Sequence, residues 1–279
     1  QVVLKKLDLK ISNGTNLEKW SSFVDRLKFP KNKIKIGLIG KYVELQDSYK
    51  SILESLIHAG SENETQVDVV SIHSEYIDEK QIKNEICKLD GVLVAPGFGS
   101  RGIEGKIEAI RCAREENIPF FGICLGMQMA VIEFSRNILG LKDANSTEME
   151  ENTPHPVIAL MENQKNITNK GGTMRLGSWE CKIESNSKVS EIYKSEIISE
   201  RHRHRWELND NYRDELNKKG LKSCGTNPET GLVEIIELSS NDWFIGVQFH
   251  PEYKSTVECP HPLFVSFVKA CLNYKKSKN

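Results

Sequence analysis

The sequence has no long hydrophobic run and no excess of charge of either sign. None of its apolar stretches approaches the roughly 18 residues that a membrane-spanning helix needs. The formal net charge is only -1, so no global field would attract nucleic acid or an anionic membrane, and we predict neither partner. The first residues carry neither Met nor a signal-peptide pattern, so we expect the chain to begin inside a longer protein. With 38% hydrophobic and 28% charged residues, the composition is typical of a soluble globular protein.

The cysteines lack any paired spacing, although there are seven of them. An odd number without a C-x-x-C motif disfavours both a disulfide framework and a zinc ribbon. Free thiols suit a reducing compartment, so we interpret the protein as cytoplasmic. The phosphate-binding pattern G-x-x-x-x-G-K-[ST] is also missing, which excludes an ATP site of that kind.

Short apolar runs alternate with helical patterns through the first half of the chain. The predicted strands lie at residues 34–39, 67–72, 91–95 and 119–123. The predicted helices lie at residues 48–58, 79–88, 104–116 and 125–134. The alternation predicts βαβ units, and continuously apolar strands fit a sheet that is covered on both faces. We therefore predict an α/β fold of three layers, with a mostly parallel central sheet and helices on both faces.

The remainder of the chain is less regular. Residues 140–200 are expected to hold loops and irregular strands, and the next elements are a helix at 210–219, a hairpin of strands 232–238 and 243–249, and a closing helix at 263–272. The leader, residues 1–32, is predicted to be a linker with a short helix around residues 17–27. Residues 33–274 then form one domain, and residues 275–279 form a basic tail.

One cysteine stands in a G-x-C-x-G motif between a predicted strand and a predicted helix. Cys124 lies between Gly122 and Gly126, which gives the thiol analogue of the hydrolase nucleophile elbow. The glycines permit a tight turn, and the N-terminus of the following helix favours a thiolate. The N–H of Leu125 can stabilise a developing oxyanion. The alternative is a buried, inert cysteine, which is our interpretation of the other six.

A histidine at the end of a predicted strand is the best candidate for the base. His250 is followed by Pro251 and Glu252. In an extended segment, residues two apart face the same side, so Glu252 can orient the imidazole and stabilise its cation. Alone, this motif is equally compatible with a strand-end turn and a solvated glutamate. No second histidine or cysteine stands at ligand spacing, so a metal site is not predicted.

A glycine-rich loop follows the third predicted strand. Gly97, Gly99 and Gly102 spell G-x-G-x-x-G, but the dinucleotide fingerprint follows the first strand and opens directly onto a helix. We interpret the loop instead as bare backbone N–H groups that face a substrate carbonyl. Residues 201–205 alternate arginine with histidine, and three interpretations stay open: arginines that bind carboxylates, a solvated charged strand, or a short nucleic-acid patch.

The cysteine elbow and the His-Pro-Glu motif resemble those of the class I glutamine amidotransferases. Further segments narrow the resemblance to the C-terminal glutaminase domains of the CTP synthase family. They lie at residues 37–42, 97–106, 143–148, 171–177 and 201–205. The similarity runs from about residue 37 to residue 272, and it implies a class I glutamine amidotransferase-like fold. The last three segments are far more specific than the triad.

The resemblance also implies roles for individual residues. Cys124 is expected to form a glutamyl thioester, His250 to carry the proton and Glu252 to orient His250. The other implied positions contact the substrate, through the backbone or through side chains that hold the glutamine amino and carboxylate groups. These positions are Gly97, Phe98, Leu125, Gln128, Glu148 and Arg205.

The family implies partners beyond this domain. L-Glutamine is the expected substrate, and no cofactor is expected in the domain itself. In the family, ammonia passes to an N-terminal synthetase domain of the same chain, which uses ATP and Mg²⁺ to aminate UTP to CTP, with GTP as activator. Residues 1–32 resemble the connector from that domain, which is expected to be absent here, and the full-length protein is expected to be a homo-oligomer.

One departure from the family pattern bears on activity. Many members carry a glycine where this chain has Pro96, which has no N–H. If that N–H binds the oxyanion elsewhere, Gly97 must suffice here. Two other interpretations therefore stay open: a lone amidotransferase or γ-glutamyl hydrolase that shares the triad, and a catalytically idle regulatory or assembly domain.

Overall fold

The computed structural model describes residues 2–9, 16–76, 79–160 and 174–278. Three residues of the family-like segment at 171–177, namely Gly171, Gly172 and Thr173, lie outside the described residues, as do residues 1 and 10–15 of the leader and residue 279. No helix in the described part of the chain combines the length and the apolar character that crossing a membrane requires.

A central sheet of nine strands organises the fold, in the order β2-β1-β3-β4-β12-β11-β10-β7-β8. The parallel strands are β1 (Asn32–Gly40), β2 (Thr65–His73), β3 (Gly91–Val94), β4 (Phe120–Ile123) and β12 (Phe244–Val247). The antiparallel extension consists of β7 (Arg175–Ile183), β8 (Ile197–His204), β10 (Leu221–Thr226) and β11 (Val233–Leu238). The predicted hairpin at 232–249 is confirmed as the antiparallel pair β11 and β12.

Helices cover both faces of the sheet. One face carries α3 (Lys50–Glu62) and α9 (Pro262–Lys278), and the other carries α4 (Glu79–Ile86), α5 (Ile103–Glu115) and α6 (Leu125–Asn137). Each face has its own buried apolar cluster, because the strands present apolar side chains to both sides. The predicted three-layer α/β class is confirmed, and four antiparallel strands extend one side of the parallel sheet.

Smaller elements complete the described chain. They are α1 (Val2–Lys6), α2 (Glu18–Lys28), α7 (Lys188–Tyr193) and α8 (Arg213–Lys219), with a second sheet of β5 (Ala144–Ser146), β6 (His155–Leu160) and β9 (Trp206–Leu208). The helix predicted near residues 17–27 is therefore present as α2. Residues 275–278, predicted as a basic tail, form the last turn of α9. The division of the chain into linker, domain and tail stays a prediction.

The expectation of irregular strands between residues 140 and 200 is wrong for β7 and β8. These strands pair without interruption from Arg175 to Lys182 and from Ile197 to His204. In β8 every second residue is buried, with the exposed positions alternating between them. This period of two was hidden in the sequence, because charged and histidine side chains occupy buried positions of the strand as well as exposed ones.

Three neighbouring strands place their carboxyl ends side by side. In the sheet order, β3, β4 and β12 are adjacent and parallel. The glycine loop follows β3, Cys124 follows β4, and His250 lies just beyond β12. Ligands bind in crevices at the carboxyl ends of such strands, so the fold brings all three predicted motifs to one edge of the sheet.

Candidate active site

The nucleophile candidate occupies a strained turn. Cys124 has φ 52° and ψ -102° and immediately precedes α6. A non-glycine residue in this region costs on the order of 1–3 kcal/mol, and such residues cluster at functional sites. The N–H of Cys124 donates to the carbonyl of Val247 at 2.7 Å, which ties the turn to β12. The residue is 3% exposed, so its sulfur lies within the protein rather than on an open surface.

A close backbone approach explains why a glycine stands two residues after Cys124. A Cβ on Gly126 would lie 2.3 Å from the carbonyl oxygen of Val94, a backbone atom of β3 that cannot move away alone. We predict that Gly126→Ala lowers the free energy of unfolding by about 3 kcal/mol, measured by urea denaturation. The control is Gly140→Ala, where φ is 76° but no atom lies within 4 Å, and where only about 1 kcal/mol of backbone strain is expected. Equal losses in the two variants would contradict the packing argument.

The base candidate and its orienting carboxylate are in contact. The Nδ1 of His250 lies 2.8 Å from Oε1 of Glu252, and both side chains are buried. The backbone N–H of His250 donates to the carbonyl of Arg201 at 2.8 Å, and the ring of Tyr253 stacks on the imidazole at 5.1 Å. The ring is thus held by a carboxylate and a stacked aromatic ring, and the backbone of His250 is tied to β8. Its Nε2 has no hydrogen-bond partner among the described residues, and the imidazole interacts with Cys124, so Nε2 is available for proton transfer with the thiol.

The environment favours the charged form of the imidazole. Burial by itself lowers the pKa of His250, but the negative charges of Cys124 and Glu252, together with the hydrogen bond to Glu252, outweigh it and raise the pKa well above its usual 6.5. An imidazolium between a sulfur and a carboxylate is the resting arrangement expected of a thiolate–imidazolium pair.

The oxyanion candidates face each other across the sheet edge. A Cβ built on Gly97 would lie 3.4 Å from Cδ2 of Leu125, so the loop after β3 lies against the first turn of α6. Two carbonyls of this loop accept hydrogen bonds from lysines. Lys106 donates to Ala95 at 3.2 Å, and Lys41 donates to Phe98. The loop is therefore anchored through the carbonyls of Ala95 and Phe98.

The predicted glutamine contacts gather around this loop. The N–H of Gly99 donates to Oε1 of Glu148 at 2.8 Å. Phe98 is 40% exposed, with the guanidinium of Arg203 5.8 Å from its ring centre. Arg205 is buried in the connection between β8 and β9. Their roles in holding glutamine stay predictions, as do the roles of the triad residues.

Gln128 has a more internal position than its predicted role suggests. Its side chain is 3% exposed, and its Nε2 donates to the carbonyl of Trp206 at 2.8 Å and to Oε1 of Gln248 at 3.2 Å. The amide nitrogen is thus already engaged with the protein. Any contact of Gln128 with a substrate falls to its carbonyl oxygen, an acceptor that suits an amino group.

The Arg-His alternation resolves into two faces. Arg201 and Arg203 are exposed, whereas His202 and His204 are buried and lie 3.0 Å apart. Burial and, after it, the positive charge of Arg175 lower the pKa of His204 to about 3. Burial lowers the pKa of His202 as well, so both histidines are neutral at physiological pH. The interpretation as a solvated charged strand therefore holds only for the face that carries Arg201 and Arg203. The two histidines share the buried face of β8.

Two residues at the site were not predicted. Gln248 is fully buried, and its Nε2 lies 3.6 Å from the sulfur of Cys124 as a donor. Its position two residues before His250 was a usable signal, since such residues share a side in extended chain. Lys106 is also fully buried, and nothing in the helical pattern of α5 distinguishes it from a solvent-exposed lysine. In the described part of the chain, no group of three or more His, Cys, Asp or Glu residues could hold a metal ion.

Comparison with known proteins gives a consistent result. The sequence profile described as glutamine amidotransferase class-I matches residues 44–270. CTP synthase of Flavobacterium johnsoniae is 65% identical over 275 residues, which cover 99% of this chain and 51% of that protein. CTP synthase of Bacteroides fragilis is 52% identical over 273 residues, with 98% and 51% covered. The chain thus spans about half the length of the curated relatives it matches.

Solved structures agree with the sequence matches. The glutaminase domain of Trypanosoma brucei CTPS with bound acivicin has a TM-score of 0.81 and 38% identity, covering 86% of this chain and 94% of that one. A Thermoplasma acidophilum protein described as a GMP synthase subunit has a TM-score of 0.55 at 15% identity, covering 88% and 97%, and shares the fold alone.

Proposed function

Because this chain belongs to the class I glutamine amidotransferase family, we propose that Cys124, His250 and Glu252 hydrolyse the side-chain amide of L-glutamine to glutamate and ammonia. The observation that carries the proposal is that a cysteine in a strained pre-helical turn interacts with the imidazole of a buried His–Glu pair, in which Nδ1 of His250 and Oε1 of Glu252 lie 2.8 Å apart. A nucleophile, its base and the group that orients the base are the minimum set for acyl transfer.

The first half of the reaction forms a thioester. The Cys124 thiolate attacks the carbon of the glutamine amide, and the carbonyl oxygen becomes an oxyanion that the N–H groups of Gly97 and Leu125 stabilise. The imidazolium of His250 gives its proton to the amide nitrogen, the carbon–nitrogen bond breaks, and ammonia leaves. Glu252 keeps the imidazole in the required tautomer and compensates its charge throughout.

The second half regenerates the enzyme. His250, now neutral, takes a proton from water, and the resulting hydroxide attacks the thioester carbon. The carbon–sulfur bond breaks and glutamate departs, while the thiolate–imidazolium pair reforms. One glutamine and one water thus yield one glutamate and one ammonia. The carboxylate of Glu148 and the carbonyl of Gln128 would bind the amino group of the glutamine, and the guanidinium of Arg205 would bind its carboxylate.

The destination of the ammonia lies outside this chain. The curated relatives are CTP synthases about twice its length, so we propose that a synthetase half of the same polypeptide uses the ammonia to aminate UTP to CTP, in pyrimidine biosynthesis in the cytoplasm. ATP and Mg²⁺ would be bound by that half, GTP would act as activator, and the complete protein would be a homo-oligomer. No residue of this chain is assigned to those ligands.

Covalent labelling tests the proposal. The protein is treated with a glutamine-mimicking diazoketone, or with acivicin, which the T. brucei domain binds, and its intact mass is measured. We expect one adduct, which is lost in Cys124→Ala and retained in Cys259→Ala, because Cys259 is an exposed thiol outside the elbow. An adduct that persists in Cys124→Ala would contradict the assignment.

Substrate choice separates the proposal from its rival. A γ-glutamyl hydrolase would accept γ-glutamyl peptides, which carry an extended leaving group, whereas the proposed enzyme releases only ammonia. We therefore expect glutamine, but not γ-glutamyl peptides, to protect Cys124 from labelling. Absence of any adduct on folded full-length protein would favour a catalytically idle domain.

A further inference from the structure

Lys106 is buried without a counter-ion among the described residues. Its side chain is fully enclosed in the first turn of α5, where the positive end of the helix dipole disfavours a cation. Within that part of the chain, the charged groups that act on it are Lys41, which repels it, and Cys124, which attracts it. A buried ammonium with no carboxylate partner costs several kcal/mol or loses its proton. Such a feature is a candidate for function rather than for stability.

The contacts of Lys106 lead directly to the oxyanion loop. Its Nζ donates to the carbonyl of Ala95 at 3.2 Å and lies 3.7 Å from the position that a Cβ on Gly97 would occupy. The N–H of Ala95 donates to Ile39 at 3.0 Å, so residue 95 is held through both its N–H and its carbonyl. The hydrogen bond from Lys106 to the carbonyl of Ala95 therefore fixes the orientation of the chain just before Gly97.

This hydrogen bond matters because the loop has few alternative donors for the oxyanion. Pro96 contributes no N–H, and the N–H of Gly99 already donates to Glu148, so Gly97, opposite Leu125, is the oxyanion donor expected from this loop. A donor that must lie within about 3 Å of the developing charge loses its effect when the loop shifts by a fraction of an ångström. The residue that sets the loop position thus influences the rate although it does not contact the substrate.

We propose that Lys106 is a positioning residue for glutamine hydrolysis: its amino group holds the carbonyl of Ala95 so that Gly97 keeps its N–H at the oxyanion, and its positive charge favours the thiolate of Cys124. The inference rests on the proposed function. Geometry carries it, and the electrostatics agree. Burial first, and then Lys41, lowers the pKa of Lys106 to about 7, whereas negative charge at Cys124 raises it. Lys106 therefore gains its proton most readily when the sulfur or the oxyanion is charged.

Two substitutions separate the effects of charge and hydrogen bond. Lys106→Met keeps the length of the side chain but removes both, whereas Lys106→Gln removes the charge and keeps a donor. Lys276→Met is the matched control, because Lys276 is exposed on α9. In the full-length protein we would measure kcat and KM for glutamine, the melting temperature, and the alkylation rate of Cys124 by iodoacetamide against pH.

We expect Lys106→Met to lower kcat about 100-fold, the loss typical of one oxyanion donor, with KM changed by no more than about threefold. Its melting temperature should not fall, because an unpaired buried charge is removed. The pH midpoint of alkylation should rise, and Lys106→Gln should recover part of kcat but not the midpoint. Lys276→Met should behave as wild type.

Three outcomes would overturn the inference. If the wild type is active and Lys106→Met has the same kcat, the inference about Lys106 is wrong and the proposed function is unaffected. A fall in kcat that merely parallels a fall in melting temperature in both variants would show a structural role only. If the wild-type protein neither hydrolyses glutamine nor reacts with the diazoketone, the proposed function is wrong, and so is this inference.

Discussion

Replacement of Cys124 by serine should lower kcat for glutamine hydrolysis about 10⁴-fold or more, because triad nucleophiles act as a unit with their base. A serine hydroxyl ionises far less readily than a thiol, so the imidazolium of His250 loses its anionic partner. The measurement is glutamate release under saturating glutamine. Binding should change little, since the substituted atom contributes to chemistry rather than to recognition of the amino acid.

Other thiols of the chain provide the control for this experiment. Cys259→Ser makes the same chemical change at an exposed position and should leave kcat within about twofold. Cys271 is a less suitable control, because it is fully buried and a hydroxyl there would lack the packing of the sulfur. If Cys124→Ser retained more than a tenth of the activity, the thioester mechanism would be untenable.

Glu252→Gln should lower kcat by about 10³- to 10⁴-fold without unfolding the protein. The amide keeps the shape of the carboxylate, but it cannot compensate the imidazolium, and it can present its NH₂ to Nδ1 of His250 and impose the wrong tautomer. Because Glu252 is one of the groups that raise the pKa of His250, the variant should also lose the charged imidazole at a lower pH than wild type. The pH dependence of Cys124 alkylation reports this shift.

The same substitution has a defined effect on stability. A histidine with a raised pKa in the folded state stabilises the protein fully below its unfolded pKa of about 6.5, and this contribution is lost as pH rises through the folded value. Wild type should therefore exceed Glu252→Gln in melting temperature most clearly near pH 6, and the margin should shrink under alkaline conditions. A margin that grew with pH would contradict the raised pKa of His250.

The strand ends that hold the site were predictable from sequence because parallel strands are apolar on both faces. The runs before Cys124 and His250 stand out for this reason, and the residue after such a run must emerge at the sheet edge. A single motif, G-x-C-x-G, then identified the turn. The positive φ of Cys124 agrees with the strained elbow that this motif predicts.

The parts that were not predicted depend on tertiary contacts. Lys106 has the helical spacing of an ordinary surface residue, and only the packing of α5 under the glycine loop encloses it. Gln128 was predicted to face the substrate, yet its amide nitrogen is turned toward Trp206 and Gln248. Local sequence carries no information about which of two polar partners a buried amide selects.

The strand that leads to His250 is the last strand along the chain, yet it lies in the middle of the sheet. β12 lies between β4 and β11 in the sheet, although almost the whole chain must be synthesised before residues 244–247 exist. Until then the turn at Cys124 lacks the carbonyl of Val247 that receives its N–H, and the imidazole of His250 does not yet exist. A nascent or truncated chain that lacks β12 therefore also lacks His250, so the proposed reactive pair cannot form until this central strand has been added to the sheet.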